Sequence, residues 1–85
     1  MSEFKYVITE PMGLHARPAG QLVKVAAGLA CDVKVTANGQ TVDAKRIMGV
    51  MRLAAKAGQE LTVTCTGEGE EAAAATIEAF MKENL

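Results

Sequence analysis

The sequence is poor in aromatic, cysteine and histidine residues, and each shortage excludes a class of protein. It has no tryptophan, one tyrosine and two phenylalanines, so its interior must be built from aliphatic side chains, alanine and methionine. Its two cysteines, Cys31 and Cys65, are too few for a disulfide framework and form no CxxC pair. We expect both to be buried free thiols. With a single histidine, a zinc site is not expected.

Long apolar runs are also missing. The longest ones are far shorter than a membrane span, and the start MSEFKYVITE has neither the basic residues nor the apolar stretch of a signal peptide. We therefore expect a soluble, cytoplasmic protein that does not insert into membranes. A chain of 85 residues is long enough for one compact domain, and we assign residues 1–85 to it.

Acidic and basic residues are nearly equal in number, but two segments contain no acidic residue. The formal net charge is −1, which gives no general case for binding nucleic acid. The segments 11–31 and 44–59 nevertheless contain only basic residues among their charged ones: Arg17, Lys24, Lys45, Arg46, Arg52 and Lys56. If the two segments adjoin in space, they form one basic face that would attract an anionic partner or ligand.

Apolar and polar residues alternate in four segments, 4–9, 31–37, 40–44 and 60–66, which predicts four strands. Asn38 and Gly39 predict a tight hairpin between the second and third strands. Helical spacing predicts helices over 16–27, 46–55 and 70–83. Because every predicted strand has one apolar face, the order β-α-β-β-α-β-α indicates an α+β fold with one antiparallel sheet, helices on one side and solvent on the other.

The one histidine, His15, lies just before a predicted helix start in PMGLHARPAG. The first N–H groups of that helix, including those of Ala16 and Arg17, have no intrahelical partner and form an anion site with the helix dipole. Arg17 adds a planar guanidinium suited to phosphate. A neutral imidazole beside such a cradle suggests a phosphoryl carrier. A histidine that merely caps the helix or is simply exposed is the commoner case, and spacing alone leaves both readings open.

Two blocks of the sequence resemble a known family. GLHARPAG and KRIMGVMRLAAKAGQELTVTCTGEGEEAA are similar to the HPr family, the histidine-containing phosphocarriers of the bacterial phosphoenolpyruvate-dependent sugar phosphotransferase system. The similarity covers the whole chain in length, element order and spacing. The resemblance implies an open-faced β-sandwich, in which a four-stranded antiparallel sheet carries three helices on one face. It also implies a monomeric carrier rather than an enzyme, with no metal and no cofactor.

The resemblance further implies partners and residue roles. Enzyme I, charged by phosphoenolpyruvate, would phosphorylate His15 on Nδ1, and the phosphoryl group would then pass to EIIA proteins or domains for sugar uptake. Arg17 would contact the phosphoryl group beside the Ala16 N–H, and Pro18 would keep the helix start rigid. The partner-docking residues that the resemblance implies are Gly20, Lys24, Ile47, Met48, Met51 and Arg52.

The chain departs from the family pattern at Arg46. Many members have a serine there that a dedicated kinase phosphorylates, and an arginine cannot take that phosphoryl group. We therefore expect this serine-linked catabolite regulation to be absent. Met48 stands where some members have phenylalanine, and a core position is its alternative interpretation. The spacing of Ile47, Val50 and Met51 already predicts an inward stripe for that helix.

Two other functions stay open at this point. The first is a carrier in a nitrogen-related branch of the same network, which would differ in its partners. The second is a regulatory module that keeps the fold and acts by docking alone, as paralogues of this family that lost the histidine do. The intact LHARP motif and the missing regulatory serine both argue against the second function.

Overall fold

The computed structural model describes residues 1–85. Its elements are strand β1 (Ser2–Val7), helix α1 (Ala16–Ala27), strands β2 (Asp32–Ala37) and β3 (Gln40–Asp43), helix α2 (Ile47–Arg52), strand β4 (Glu60–Thr66) and helix α3 (Glu70–Asn84). The predicted order β-α-β-β-α-β-α is confirmed. The four strands form one antiparallel sheet in the spatial order β1-β4-β2-β3.

The hydrophobic core lies on one face of this sheet. Every second residue of the two central strands is buried: Val33, Val35, Ala37, Leu61, Val63 and Cys65. Each helix adds a side chain with no exposed area to the same 21-residue cluster, namely Leu22, Val50 and Ile77. Burying a large aliphatic side chain contributes about 1.5–3 kcal/mol. The open-faced architecture is therefore held together by the aliphatic interior that the composition predicts.

The hairpin between β2 and β3 turns at the predicted residues. Asn38 and Gly39 have φ angles of 51° and 75°, the left-handed pair that a two-residue hairpin turn requires. Nδ2 of Asn38 also donates a hydrogen bond to the Leu53 carbonyl at 3.0 Å. The tip of the hairpin is thus tied to the segment that follows α2.

Helix α2 is shorter than predicted, and three of its four large apolar residues are exposed. It ends at Arg52, and Ala54 has a φ of 49°, which breaks the helix before residue 55. The predicted inward stripe is wrong for two of its three residues: Val50 is fully buried, but Ile47 is 38% exposed and Met51 is 43% exposed. Met48 is 70% exposed, which excludes a core position for it.

Both cysteines are buried free thiols, as predicted. Burial, and to a smaller extent the neighbouring Cys31, together raise the pKa of Cys65 from 9.0 to about 11. Burial acts in this direction because it disfavours the charged thiolate. The Cys65 thiol is therefore not a reactive group in the folded chain.

None of the three helices is long and apolar enough to span a bilayer.

Candidate functional site

His15 is the residue immediately before the first turn of α1. Its backbone is extended, with φ −90° and ψ −174°, and its carbonyl accepts the first helical hydrogen bond, from the Ala19 N–H at 3.0 Å. Its imidazole makes no capping hydrogen bond, and the residue is partly exposed. His15 therefore occupies the capping position without acting as a cap, and its imidazole is not engaged in a hydrogen bond with the rest of the chain.

The first turn of α1 presents unpaired donors and no anion. The N–H groups of Ala16 and Arg17 precede the first residue that can make an intrahelical bond, and Pro18 has no N–H. The turn contains no acidic side chain, and the Arg17 residue is exposed while Pro18 is buried. This arrangement has the features expected of an anion cradle, with a buried proline in the turn and an exposed arginine beside it.

A cavity of about 340 Å³ opens beside His15 and Arg17. It is lined by Glu10, Met12, His15, Arg17, Pro18, Gln21, Glu83 and Asn84. Sequence analysis missed the two glutamates, because Glu10 lies just outside the acid-free segment and Glu83 comes from the last turn of α3. The basic face is therefore bounded by carboxylates at the histidine. Only the position of α3 in the fold could have identified Glu83 as a neighbour.

The loop that leads into His15 packs closely against the segment after α2. The Leu14 N–H donates to the Ala55 carbonyl at 2.9 Å. Gly13 has a φ of +68°, and a Cβ there would lie 2.5 Å from the Ala55 oxygen and 2.8 Å from Lys56 Cα. Only glycine fits both the left-handed backbone and the contact. The position of His15 thus depends on residues about forty positions downstream.

Helices α1 and α2 pack against each other, so the two acid-free segments adjoin, which is the condition for one basic face. A groove of about 540 Å³ runs along them, lined by Val23, Lys45, Arg46, Ile47, Met48, Gly49 and Arg52. We call six of the exposed residues on these helices the α1–α2 face: Gly20, Lys24, Ile47, Met48, Met51 and Arg52. Large apolar side chains at its centre and cations around them are typical of a docking surface.

Two cations of the acid-free segments differ in their surroundings. The Lys45 ammonium donates to the Leu29 carbonyl at 2.9 Å and the residue is partly buried, so it joins the segment after α1 to the turn before α2. Arg46 is exposed, with Nε 4.0 Å from Asp43 Oδ2, and makes no capping bond to α2. Lys45 is therefore a structural cation, whereas Arg46 remains at the surface. No group of three or more His, Cys, Asp or Glu side chains is placed to hold a metal ion.

The sequence matches the family described as "PTS HPr component phosphorylation site" over residues 2–83. The chain belongs to the HPr family. It is similar to the phosphocarrier protein HPr of Mycoplasma capricolum subsp. capricolum, with 37% identity over 81 residues, 95% of this chain and 91% of that protein. As a member of the family, the chain is a phosphocarrier of the phosphotransferase system and not a catalytic enzyme.

Solved structures of HPr proteins share the fold. The histidine-containing phosphocarrier protein of Mycoplasma superposes with a TM-score of 0.93 at 35% identity, over 96% of this chain and 93% of that one. Crh of Bacillus subtilis, a catabolite repression protein described as a domain-swapped dimer, superposes with a TM-score of 0.77 at 36% identity, over 100% and 98% of the two chains. The predicted family and open-faced fold are thereby confirmed.

Proposed function

We propose that His15 is the residue that carries the phosphoryl group, accepting it from Enzyme I and passing it to EIIA proteins or domains. The observation that carries this proposal is an imidazole at the capping position of α1 that makes no capping bond. A ring nitrogen attacks phosphorus with its lone pair, and the donor leaves with the pair of the broken bond. The chain itself needs only to hold the imidazole in place, because the partners supply most of the catalysis by positioning.

The first turn of α1 stabilises the phosphoryl group once it is bound. The Ala16 N–H, the helix dipole and the exposed Arg17 guanidinium all favour a dianion beside His15. Pro18, buried in the same turn, limits how far that turn can move. Glu10 and Glu83 across the cavity oppose the binding of anions. This balance suits a carrier, which must hold the group and then release it.

The α1–α2 face is the surface that we assign to Enzyme I and EIIA. Ile47, Met48 and Met51 present flexible apolar area, and methionine adapts to more than one partner. Lys24 and Arg52 add exposed cations that would steer an acidic partner toward His15. Gly20 faces open space, since a Cβ there would contact nothing within 4 Å. Its lack of a side chain lets a partner come close to the α1 backbone. We propose that the chain works in this way as a monomer, as one domain and without nucleic acid.

Kinase-linked regulation at the start of α2 is absent under this proposal. Arg46 holds the position of the family's regulatory serine and supplies a cation instead of a hydroxyl. Its exposed guanidinium lies near Asp43 and on the rim of the groove. With ATP and HPr kinase, the wild-type chain is expected to gain no phosphoryl group, whereas an Arg46→Ser variant offers the missing hydroxyl.

The labelling experiment uses Enzyme I and phosphoenolpyruvate with the wild-type chain and with His15→Ala. The wild type is expected to gain one acid-labile phosphoryl group, and His15→Ala none. An unlabelled wild type under conditions that label a known HPr would sink the proposal. Transfer onward to a sugar-type EIIA, compared with a nitrogen-type one, then separates the two branches. Normal partner binding and regulatory activity in His15→Ala would favour a regulatory docking module instead.

A further inference from the structure

The peptide group between Ala55 and Lys56 is held on both sides. Its carbonyl accepts the Leu14 N–H at 2.9 Å, and its N–H donates to Gln59 Oε1 at 2.7 Å. Because a trans peptide is planar, its C=O and N–H point in opposite directions and turn together. A side chain that fixes the N–H therefore also fixes the direction of the carbonyl that receives Leu14.

Gln59 is itself held in place. Its own N–H donates to the Lys56 carbonyl at 3.0 Å, and its carbonyl accepts the Ile8 N–H at 3.0 Å. The second donor to its carboxamide oxygen is Asn38 Nδ2, at 3.3 Å, which also reaches the Leu53 carbonyl. The side chain of Gln59 thus bridges the β2–β3 hairpin and the turn after α2.

The turn after α2 is also held by the Gly58 N–H, which donates to the Ile8 carbonyl at 2.8 Å, but Gln59 supplies the only hydrogen bond to the Lys56 N–H. This turn lies between the end of α2 and the start of β4, and it contains Ala54 in the left-handed region, which costs about 1 kcal/mol or more for a residue with a Cβ. A hydrogen bond accepted by Gln59 also polarises the Ala55–Lys56 peptide and strengthens its carbonyl as an acceptor. The contact that seats the loop before His15 is therefore set by the carboxamide oxygen.

We propose that Gln59 is a positioning residue for phosphoryl transfer at His15. Its carboxamide oxygen orients the Ala55–Lys56 peptide, that peptide holds the Leu14 amide, and Leu14 sets where the chain enters His15. The inference rests on the proposed function for the role of His15, but the hydrogen-bonded relay itself does not.

The test compares Gln59→Leu, which removes the acceptor, with Gln59→Glu, which keeps an acceptor oxygen. Gln40→Leu is the matched control, because Gln40 is exposed and its side chain takes no part in this relay. In Gln59→Leu we expect the Leu14 amide proton to move upfield in the NMR spectrum. We also expect kcat for phosphorylation by Enzyme I to fall about tenfold, since misplacement of a reacting group is costly. KM should stay near the wild-type value, because the α1–α2 face is untouched.

Gln59→Glu should restore most of the rate and the Leu14 resonance, and Gln40→Leu should match the wild type in both. If Gln59→Leu does not fold, Asn38→Gly replaces it, since glycine keeps the turn and removes the second donor to Gln59 together with the bond to the Leu53 carbonyl. A smaller loss of the same kind is then expected. The proposal is overturned if the Leu14 amide stays in place, if kcat does not fall, or if glutamate fails to rescue. A wild type that accepts no phosphoryl group contradicts the proposed function instead, and the Leu14 amide still decides the relay.

Discussion

Gly13 is the residue on which the seating of His15 depends most. Its left-handed φ and the space beside the Ala55 carbonyl both exclude a side chain. We expect Gly13→Ala to lower the free energy of unfolding by roughly 2–4 kcal/mol, since it adds backbone strain to a steric clash. Urea unfolding measures this.

Gly20→Ala is the control for that measurement. Gly20 lies inside α1, and a Cβ there would meet nothing within 4 Å. Alanine at this position should stabilise the chain by about 0.5–1 kcal/mol. Neutral surface substitutions change the free energy of unfolding by up to about 0.5 kcal/mol. If Gly13→Ala differs from the wild type by no more than that, the loop does not pack as described.

Cys65 makes the stability of the fold depend on alkaline pH. Its thiol keeps the proton to about pH 11 when folded, against 9.0 ordinarily. The stabilising contribution is therefore fully present below pH 9.0 and is lost as the pH rises through about 11, amounting to roughly 3 kcal/mol. In Cys65→Ala the fall in unfolding free energy over this range should be shallower. Denaturant titrations between pH 9 and 11 measure this dependence. If the free energy of unfolding falls equally steeply with pH in the two proteins, the Cys65 contribution is refuted.

Residue-scale chemistry could be predicted only in part. The exposed backbone donors at Ala16 and Arg17 follow from the helix start, which the sequence marks with Pro18. The clash that requires Gly13 involves Ala55, some forty residues away, and no local pattern indicates it. The same holds for Glu83, which reaches the cavity only through the packing of α3.

Among the elements, the six-residue helix α2 contains both residues proposed for docking and a residue of the core. Met48 is exposed, whereas Val50 is fully buried two positions later. Met48→Ser should therefore raise KM for Enzyme I several-fold, with unfolding free energy within about 0.5 kcal/mol of the wild type. Val50→Ala should do the reverse, costing roughly 1–3 kcal/mol with little change in KM.

Steady-state transfer kinetics and denaturant unfolding of the two variants check this contrast. Met48→Leu is the matched control, since it keeps apolar area and should bind almost as the wild type does. A Met48→Ser variant that keeps the wild-type KM would place the docking surface elsewhere.

The elements were predictable where a pattern repeats and not where the chain turns. Alternation identified all four strands, and Asn38-Gly39 identified the hairpin, because both signals are local. The end of α2 was predicted too late, since the left-handed Ala54 lies in an alanine pair that favours helix. The inward stripe failed because a six-residue helix has room for little more than one buried side chain.

At the scale of the whole molecule, the fold brings two acid-free segments together into one surface. Its exposed cations are Arg17, Lys24, Arg46, Arg52 and Lys56. If they steer an acidic partner, KM for Enzyme I should rise several-fold between roughly 50 and 500 mM salt, while kcat changes little, because salt screens exposed charges. Arg46→Ser should weaken this salt dependence. A KM that does not respond to salt would show that docking is apolar alone.

This surface was foreseeable from counting charges, given that the helices adjoin. The surface is less positive than the number of basic residues suggests, because Lys45 is hydrogen-bonded to the Leu29 carbonyl and two glutamates border the histidine. Such details depend on how the helices pack, which no single segment encodes.

The central claim is that the imidazole of His15 carries the phosphoryl group. Phosphorus and nitrogen NMR of the histidine-labelled chain, phosphorylated by Enzyme I and phosphoenolpyruvate, tests it without ambiguity, since the chain has one histidine. One phosphoryl group per chain is expected, coupled to Nδ1 of His15. A phosphoryl group that survives acid on a hydroxyl side chain, or a histidine spectrum that does not change, would contradict it.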